Sequence, residues 1–290
     1  MEGKIEGEEW LYEINSKQRL IDIDFAEIWR YRDLLMLFVR RDIVATYKQT
    51  ILGPLWYLIQ PLFTSVVFTL VFNNIATIST GSVPPFLFNL AGVTLWGYFS
   101  QCLTNSSNTF SSNAGLFAKV YFPRIISPLS QSISSLFKLG IQIFIFVSFY
   151  IYFVFQGYEI APKASLWLFP FLILTIAIFG LGMGMLISSL TTKYRDFRIL
   201  IGFATTLLMY VSAVMYPISE VQNSETLSNY SWVVEYNPIA ILIESFRYMS
   251  MGEGILDWGL LTYCALLSIF LFLVGLVVFN KTGKTFIDTI

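Results

Sequence analysis

Lys138 lies deep inside a long apolar segment, with Gln131, Ser134, Ser135 and Gln142 near its side at helical spacing. A cation in the middle of a membrane helix costs roughly 2.5 to 3.5 kcal/mol on insertion scales, so it must face something polar. The candidates are an aqueous cavity, a phosphate-bearing ligand, or a hydrogen-bonding group on a neighbouring helix. Other reactive chemistry is sparse. The chain has no His, and none of its Asp or Glu residues falls inside an apolar segment, which leaves no general base, metal cluster or proton relay at membrane depth. Cys102 and Cys264 sit in separate apolar segments without metal-ligand spacing and read as small packing residues. Gly283-Lys284-Thr285 has the ending of a phosphate-binding loop, but that motif needs glycine where Val278 stands. A nucleotide is therefore expected to bind elsewhere, no metal or cofactor is expected in this chain, and a net charge of −1 gives no reason to expect nucleic acid.

The segments that carry these residues read as membrane helices. The chain is 56% hydrophobic, and no charge falls between Lys48 and Lys119, a run far longer than the roughly 20 residues that one crossing needs. Six spans are expected, at 52–76, 86–110, 128–155, 166–189, 199–215 and 258–279, each helical because lipid cannot satisfy an open backbone. The expected fold is an all-α integral membrane protein: a cytoplasmic extension over 1–24, an amphipathic interface helix over 25–50, and a six-span domain over 51–290. Met1 to Glu9 lacks the basic start and apolar core of a signal peptide, so the first span is expected to direct insertion. With the N-terminus inside, only Lys163 and Arg247 among the loop cations fall outside, which predicts a multi-pass protein with both termini cytoplasmic.

Three basic and aromatic stretches then share the cytoplasmic face. Asp24 and Glu27 have capping-box spacing, so a helix starts near Phe25. Its wheel places Ile28, Leu35, Val39 and Ile43 opposite Arg30, Arg41 and Lys48, as in a helix lying in the membrane interface or packed on a partner domain. In the loop Asn113 to Ser127, Pro123 should end a short helix containing Ala118 to Phe122, leaving Val120, Tyr121 and Phe122 available to a partner. Ser127 and Pro128 should cap the next span. A third loop reads Thr191 to Arg198. Positive-inside anchors with interfacial aromatics explain either loop alone; together with the basic helix they favour a docking surface.

Arg41-Asp42, Tyr47-Lys48-Gln49-Thr50, Leu52-Gly53-Pro54-Leu55-Trp56 and Pro61, then Lys119 to Arg124 with Pro128-Leu129, Tyr194-Arg195-Asp196-Phe197, and Asn237-Pro238 before Glu244-Ser245-Phe246-Arg247 occur in that order. This ordered set resembles permeases of type-2 ABC exporters that move polysaccharides such as O-antigen, capsule and teichoic acid across the inner membrane. The resemblance runs from about Phe25 onward. It implies a half-transporter: a homodimer of this chain forms the pore, and two separate ATPase subunits, which bind ATP and Mg, dock beneath. It also implies coupling through 30–48 and 113–122, and the residues expected to carry it are Arg41, Lys48, Lys119, Val120, Tyr121, Phe122, Pro123, Arg124, Tyr194 and Arg195.

The resemblance further implies that the first and fifth spans line the path of a lipid-linked glycan. Trp56, Tyr57, Phe63, Phe68 and Phe72 on the first, and Phe203, Met209, Tyr210 and Tyr216 on the fifth, would join Lys138 there. Aromatic faces suit sliding sugar rings, although such residues also simply face lipid or core. The polar half of the second span, from Gln101 to Asn113, should border a cavity, a dimer interface or the cytoplasm. Gly180, Gly184 and Ser188 form a small-residue stripe suited to packing within one subunit or to dimerisation. The external segment from Ile218 to Asp257 should contain a helix over Pro238 to Ser250, either re-entrant or in an ordinary solvated loop. Two alternatives share parts of this pattern: a type-2 ABC permease for drugs or other lipids, and a membrane-embedded glycan-modifying enzyme, which the lack of intramembrane acids and His disfavours.

Overall fold

The computed structural model describes residues 25–48, 52–117, 119–194, 196–224 and 228–286, and they are helical with no strands. A short helix α1 (Phe25–Arg30) leads into α2 (Arg32–Tyr47), so a helix does start at Phe25; the expected capping box lies outside the described residues and side chains. The first apolar helix, α3 (Trp56–Phe68), follows a single turn at Gly53–Leu55 and continues as a π-helix over Thr69–Ile75. The second is α4 (Pro85–Ser107), followed by the short α5 (Thr109–Ser112) and α6 (Ala114–Phe117). Then come α7 (Ile126–Phe155) and α8 (Phe169–Lys193), the latter preceded by a 3₁₀ turn over Ala164–Leu168. The chain continues through α9 (Phe197–Val211), the short α10 (Ile218–Asn223) and α11 (Ser231–Glu235), α12 (Pro238–Met251) and α13 (Trp258–Phe286).

Four of these helical stretches are long and apolar enough to cross a membrane: Trp56–Ile75, Ile126–Phe155, Ala164–Lys193 and Trp258–Gly283. The remaining two expected spans correspond to α4, which is 23 residues long but carries many polar side chains, and to α9, which is only 15 residues long. The expected fifth span, 199–215, thus ends early: after Val211 the chain leaves the helix, and Ala213 takes a left-handed φ of 52°. The third span begins at Ile126 with Ile125 as its N-cap, so Ser127 and Pro128 sit inside the first turn instead of capping it. Ser127 accepts a hydrogen bond from Asn113 Nδ2 at 2.9 Å and thereby ties the preceding loop to α7.

At the centre α8 lies between α13 and α4. Glycine makes both contacts possible. A Cβ on Gly275 of α13 would stand 2.5 Å from the Gly182 carbonyl oxygen, and one on Gly184 would stand 2.4 Å from Ser106 Cβ of α4, both closer than packed atoms approach. The Gly180/Gly184 stripe therefore packs within one chain, against α4. Cys102 and Cys264 are buried free thiols, as their apolar settings suggest. Across this bundle α4 also packs on α7, and α2 crosses α7 at one end. The core is rich in Leu, Ile and Phe from α4, α7, α8 and α12.

Candidate functional site: a basic aromatic face and a cation-lined cavity

One end of the bundle gathers α2, the 113–125 loop and the turn between α8 and α9. Its foundation is an aromatic cluster in which Phe122 packs edge-on against Phe38 at 5.7 Å and beside Phe117 at 5.6 Å, with Ile125, Ile126 and Phe279 behind. Phe122 is only 4% exposed, so the expectation that it is available to a partner is corrected: it anchors the loop. The short helix ends at Phe117, and 119–123 run on without helix, because Phe117 and Phe122 both turn inward to the same cluster. Val120 and Tyr121 are 53% and 78% exposed, and Lys119 is exposed beside them. The loop thus presents Lys119 to Tyr121 outward while its neighbour holds it in place.

Pro123 is half-buried, as is Arg124, which lies against α13: a Cβ on Gly283 would fall 2.6 Å from Arg124 Nη1. Burial holds the Arg124 guanidinium below its ordinary pKa, with Tyr121 acting in the opposite sense, and a guanidinium remains charged at neutral pH regardless. Arg41 stacks over the Phe38 ring at 4.6 Å and donates to Asp42 Oδ1 at 2.8 Å, while Lys48 is exposed at the end of α2. Tyr194 is 51% exposed and carries Lys193 Nζ over its ring at 5.3 Å. Arg195 lies outside the described residues. Val39 is buried on the apolar side of α2 and Arg30 is exposed, as the helical wheel expects. Trp29, Met36 and Leu37 add an exposed apolar strip on the same element pair.

Lys138 stands at the junction of two cavities. The first, about 220 Å³, is lined by Asp42 of α2, Tyr57 of α3, Asn105 of α4, and Gln131, Ser134, Ser135 and Lys138 of α7. The second, about 420 Å³, shares Tyr57 and Lys138 and adds Gln60, Thr64, Trp96, Ser100, Gln101, Gln142 and Met209. The Lys138 ammonium sits 4.8 Å from the Tyr57 ring centroid. Among the described residues, the amide oxygens of Gln101, Gln131 and Gln142 have no hydrogen-bond partner. An ammonium and three free carbonyl acceptors around polar space call for water or a hydroxyl-rich ligand. The polar stripe read from the sequence therefore does line a cavity with Lys138.

The other residues expected on the transport path divide into two groups. Trp56, Phe63, Phe203 and Tyr210 are exposed on the outside of the bundle, at 53%, 69%, 61% and 47%. Phe68, Phe72, Met209 and Tyr216 are partly buried against the core instead, with Phe68 and Phe72 in edge contact at 5.8 Å and the Tyr216 hydroxyl donating to the Tyr210 carbonyl at 2.7 Å.

A model of the ABC-2 type transporter family matches residues 33–251, most of the chain. The chain belongs to that family. Among its relatives is the O-antigen export system permease protein RfbA of Klebsiella pneumoniae, 28% identical over 258 residues that cover 88% of this chain and 94% of the relative. The protein of the same name from Myxococcus xanthus is 25% identical over 266 residues, covering 91% and 98%. The chain is thus a multi-pass membrane transport protein and not an enzyme.

Sequence reasoning missed several residues of this transporter. Asp42 enters the cavity beside Lys138, and Phe38 seats both Arg41 and Phe122. The adjacency of Arg41 and Asp42 was a signal for the first; nothing in spacing distinguished Phe38 from its neighbours. Arg247, counted above as an external cation, is fully buried, because backbone carbonyls from α4 and from the segment after α9 surround it. The expected Glu244–Arg247 pair exists, at 3.9 Å, but in the interior.

Proposed function

We propose that this chain is the membrane subunit of an ATP-driven exporter that moves a lipid-linked polysaccharide of the O-antigen class across the inner membrane. The observation that carries the proposal is the likeness to O-antigen export permeases along nearly the whole of both chains. In this reading two copies form the pore, and two separate ATPase subunits, which hold ATP and Mg, dock on the face bearing Lys119 to Tyr121, Lys48 and Tyr194. The exposure of Tyr121 on a loop anchored by Phe122 supports that docking role, since tyrosine is enriched among the residues that carry binding energy at interfaces.

The same reading takes α4 and α9 as the second and fifth of six spans, α2 as a helix lying in the membrane interface, and α10 to α12 as re-entrant helices, with both termini cytoplasmic. The exposed rings of Trp56, Phe63, Phe203 and Tyr210 then face the second copy and the glycan. Phe68, Phe72, Met209 and Tyr216 lie inward against the core, and Tyr57 and Lys138 line the polar cavity. Aromatic rings stack on the apolar faces of sugars without fixing their orientation, which allows a polymer to advance. Co-expression with a candidate ATPase subunit tests the proposal: a stable complex whose ATP hydrolysis rises with lipid-linked glycan is expected. If the chain assembles with no ATPase subunit, the proposal fails.

A further inference from the structure

The segment that follows α9 at Val211 is gripped by a buried guanidinium. Arg247 of α12 is 0% exposed. Its Nη1 donates to the Ala213 carbonyl at 2.9 Å, and its Nη2 donates to Val214 at 2.7 Å and to Phe88 of α4 at 3.4 Å. The guanidinium also lies over the Phe88 ring, 3.5 Å from its centroid. Two of the three carbonyls belong to the segment directly after α9. Ala213 there has a φ of 52°, a left-handed conformation that an alanine keeps only when its surroundings hold it.

The neighbouring groups complete the grip. Glu244, one turn before Arg247 and equally buried, accepts from the Ile218 N–H at 2.9 Å and so fixes the start of α10. Asn237 caps α12 by accepting from Ile239 N at 3.0 Å, and its other amide atom donates to the Val211 carbonyl at 3.3 Å and to Ser212 Oγ at 3.1 Å. On the α4 side, Gly92 leaves room for the contact: a Cβ there would stand 2.4 Å from the Val214 carbonyl oxygen and 2.7 Å from Arg247 Nη2. The hydrogen bonds of Arg247 require a planar fork with donors in more than one direction, which a lysine ammonium does not reproduce.

We propose that Arg247 is a positioning residue for transport, one that sets where the Val211 end of α9 sits and with it the placement of Tyr210 and Tyr216. The inference rests on the reading above that α9 lines the path. It adds a residue that touches no substrate and acts through the backbone of another helix.

Arg247→Lys tests this in the full chain, alongside Gly92→Ala, which crowds the same contact with Arg247 intact. The first readout is labelling of Met215→Cys, a position 0% exposed, by a water-soluble maleimide, with the chain lacking that cysteine as background for Cys102 and Cys264. The second is glycan at the cell surface at equal amounts of assembled protein. Loosening a buried segment is expected to raise labelling by about tenfold or more in both variants and to lower export. Unchanged labelling in both overturns the positioning role. Raised labelling with full export keeps the clamp but removes the end of α9 from the path, so the earlier reading fails and not the geometry. A merely structural role would lower the amount of assembled protein and leave export per molecule unchanged, and that result also overturns the proposal.

Discussion

Replacing Phe122 and Tyr121 separately by alanine should give opposite phenotypes, although the two residues are adjacent. Phe122 is 4% exposed and contacts the rings of Phe38 and Phe117. Truncating a buried Phe costs about 3 to 5 kcal/mol through lost transfer energy and the cavity left behind. Because the cluster lies at one end of the bundle and can partly collapse, the lower figure applies, about 3 kcal/mol. At about 2 to 4 °C per kcal/mol for a chain of this size, that corresponds to a fall in apparent melting temperature of roughly 6 to 12 °C. Tyr121 is 78% exposed, and an exposed substitution normally changes stability by about 0.5 kcal/mol or less. Thermal unfolding of the purified chain in one detergent, followed by size-exclusion chromatography, reads both values. Co-purification with the ATPase subunit reads the second effect: Tyr121→Ala should weaken the complex at unchanged stability. A Phe122→Ala chain with wild-type melting, or a Tyr121→Ala chain that melts early, would refute the assignment of anchor and contact within this loop.

Three further outcomes follow from the packing and the cavity. Gly182→Leu should destabilise the chain by about 1 to 3 kcal/mol, the usual range for overpacking, because a Cβ at that position already meets the backbone of Phe272 at 2.6 Å; an unchanged melting temperature would show that α8 and α13 do not approach as described. Lys138→Met should lower export while leaving the amount of inserted, ATPase-bound protein unchanged, since its ammonium faces the polar cavity shared with Asp42 and Tyr57; a loss of inserted protein would assign it a structural role instead. Asn113→Ala removes the bond to Ser127 Oγ, typically about 1 kcal/mol, and should speed proteolysis of the 113–125 loop; equal cleavage rates would argue against that bond holding the loop.

Much of this arrangement was legible in the residues. Long apolar runs, one of them interrupted by Lys138, located the helices that became α3, α7, α8 and α13, because the cost of polar groups in lipid acts on each residue independently of its neighbours. The helix expected over Pro238 to Ser250 is present as α12, and Asn237 caps its start. The failures share a cause in tertiary contact. α9 stops at Val211 because a guanidinium far along the chain binds the carbonyls that follow. Counting loop cations assigned Arg247 to an external surface, since hydropathy weighs the charge and not the carbonyls around it. The π-helical stretch at Thr69–Ile75, TLVFNNI, has no Gly or Pro to signal a change of helix type, although Asn73 and Asn74 stand within it. Phe122 turned inward because Phe38 and Phe117 meet it there, whereas its sequence neighbours Val120 and Tyr121 look no more polar yet face out. Of the candidate site, the stripe around Lys138 was readable from helical spacing, but the contribution of Asp42 needed α2 folded across α7.

Reconstitution provides the most direct test of the central claim. The chain and its ATPase partner would be placed in liposomes with a lipid-linked glycan, and glycan transferred to the opposite leaflet would be measured with and without ATP. Transfer that requires ATP, both proteins and an intact Tyr121 is the predicted result. Transfer without the ATPase subunit, or an assembled complex that hydrolyses ATP and moves no glycan, would contradict it.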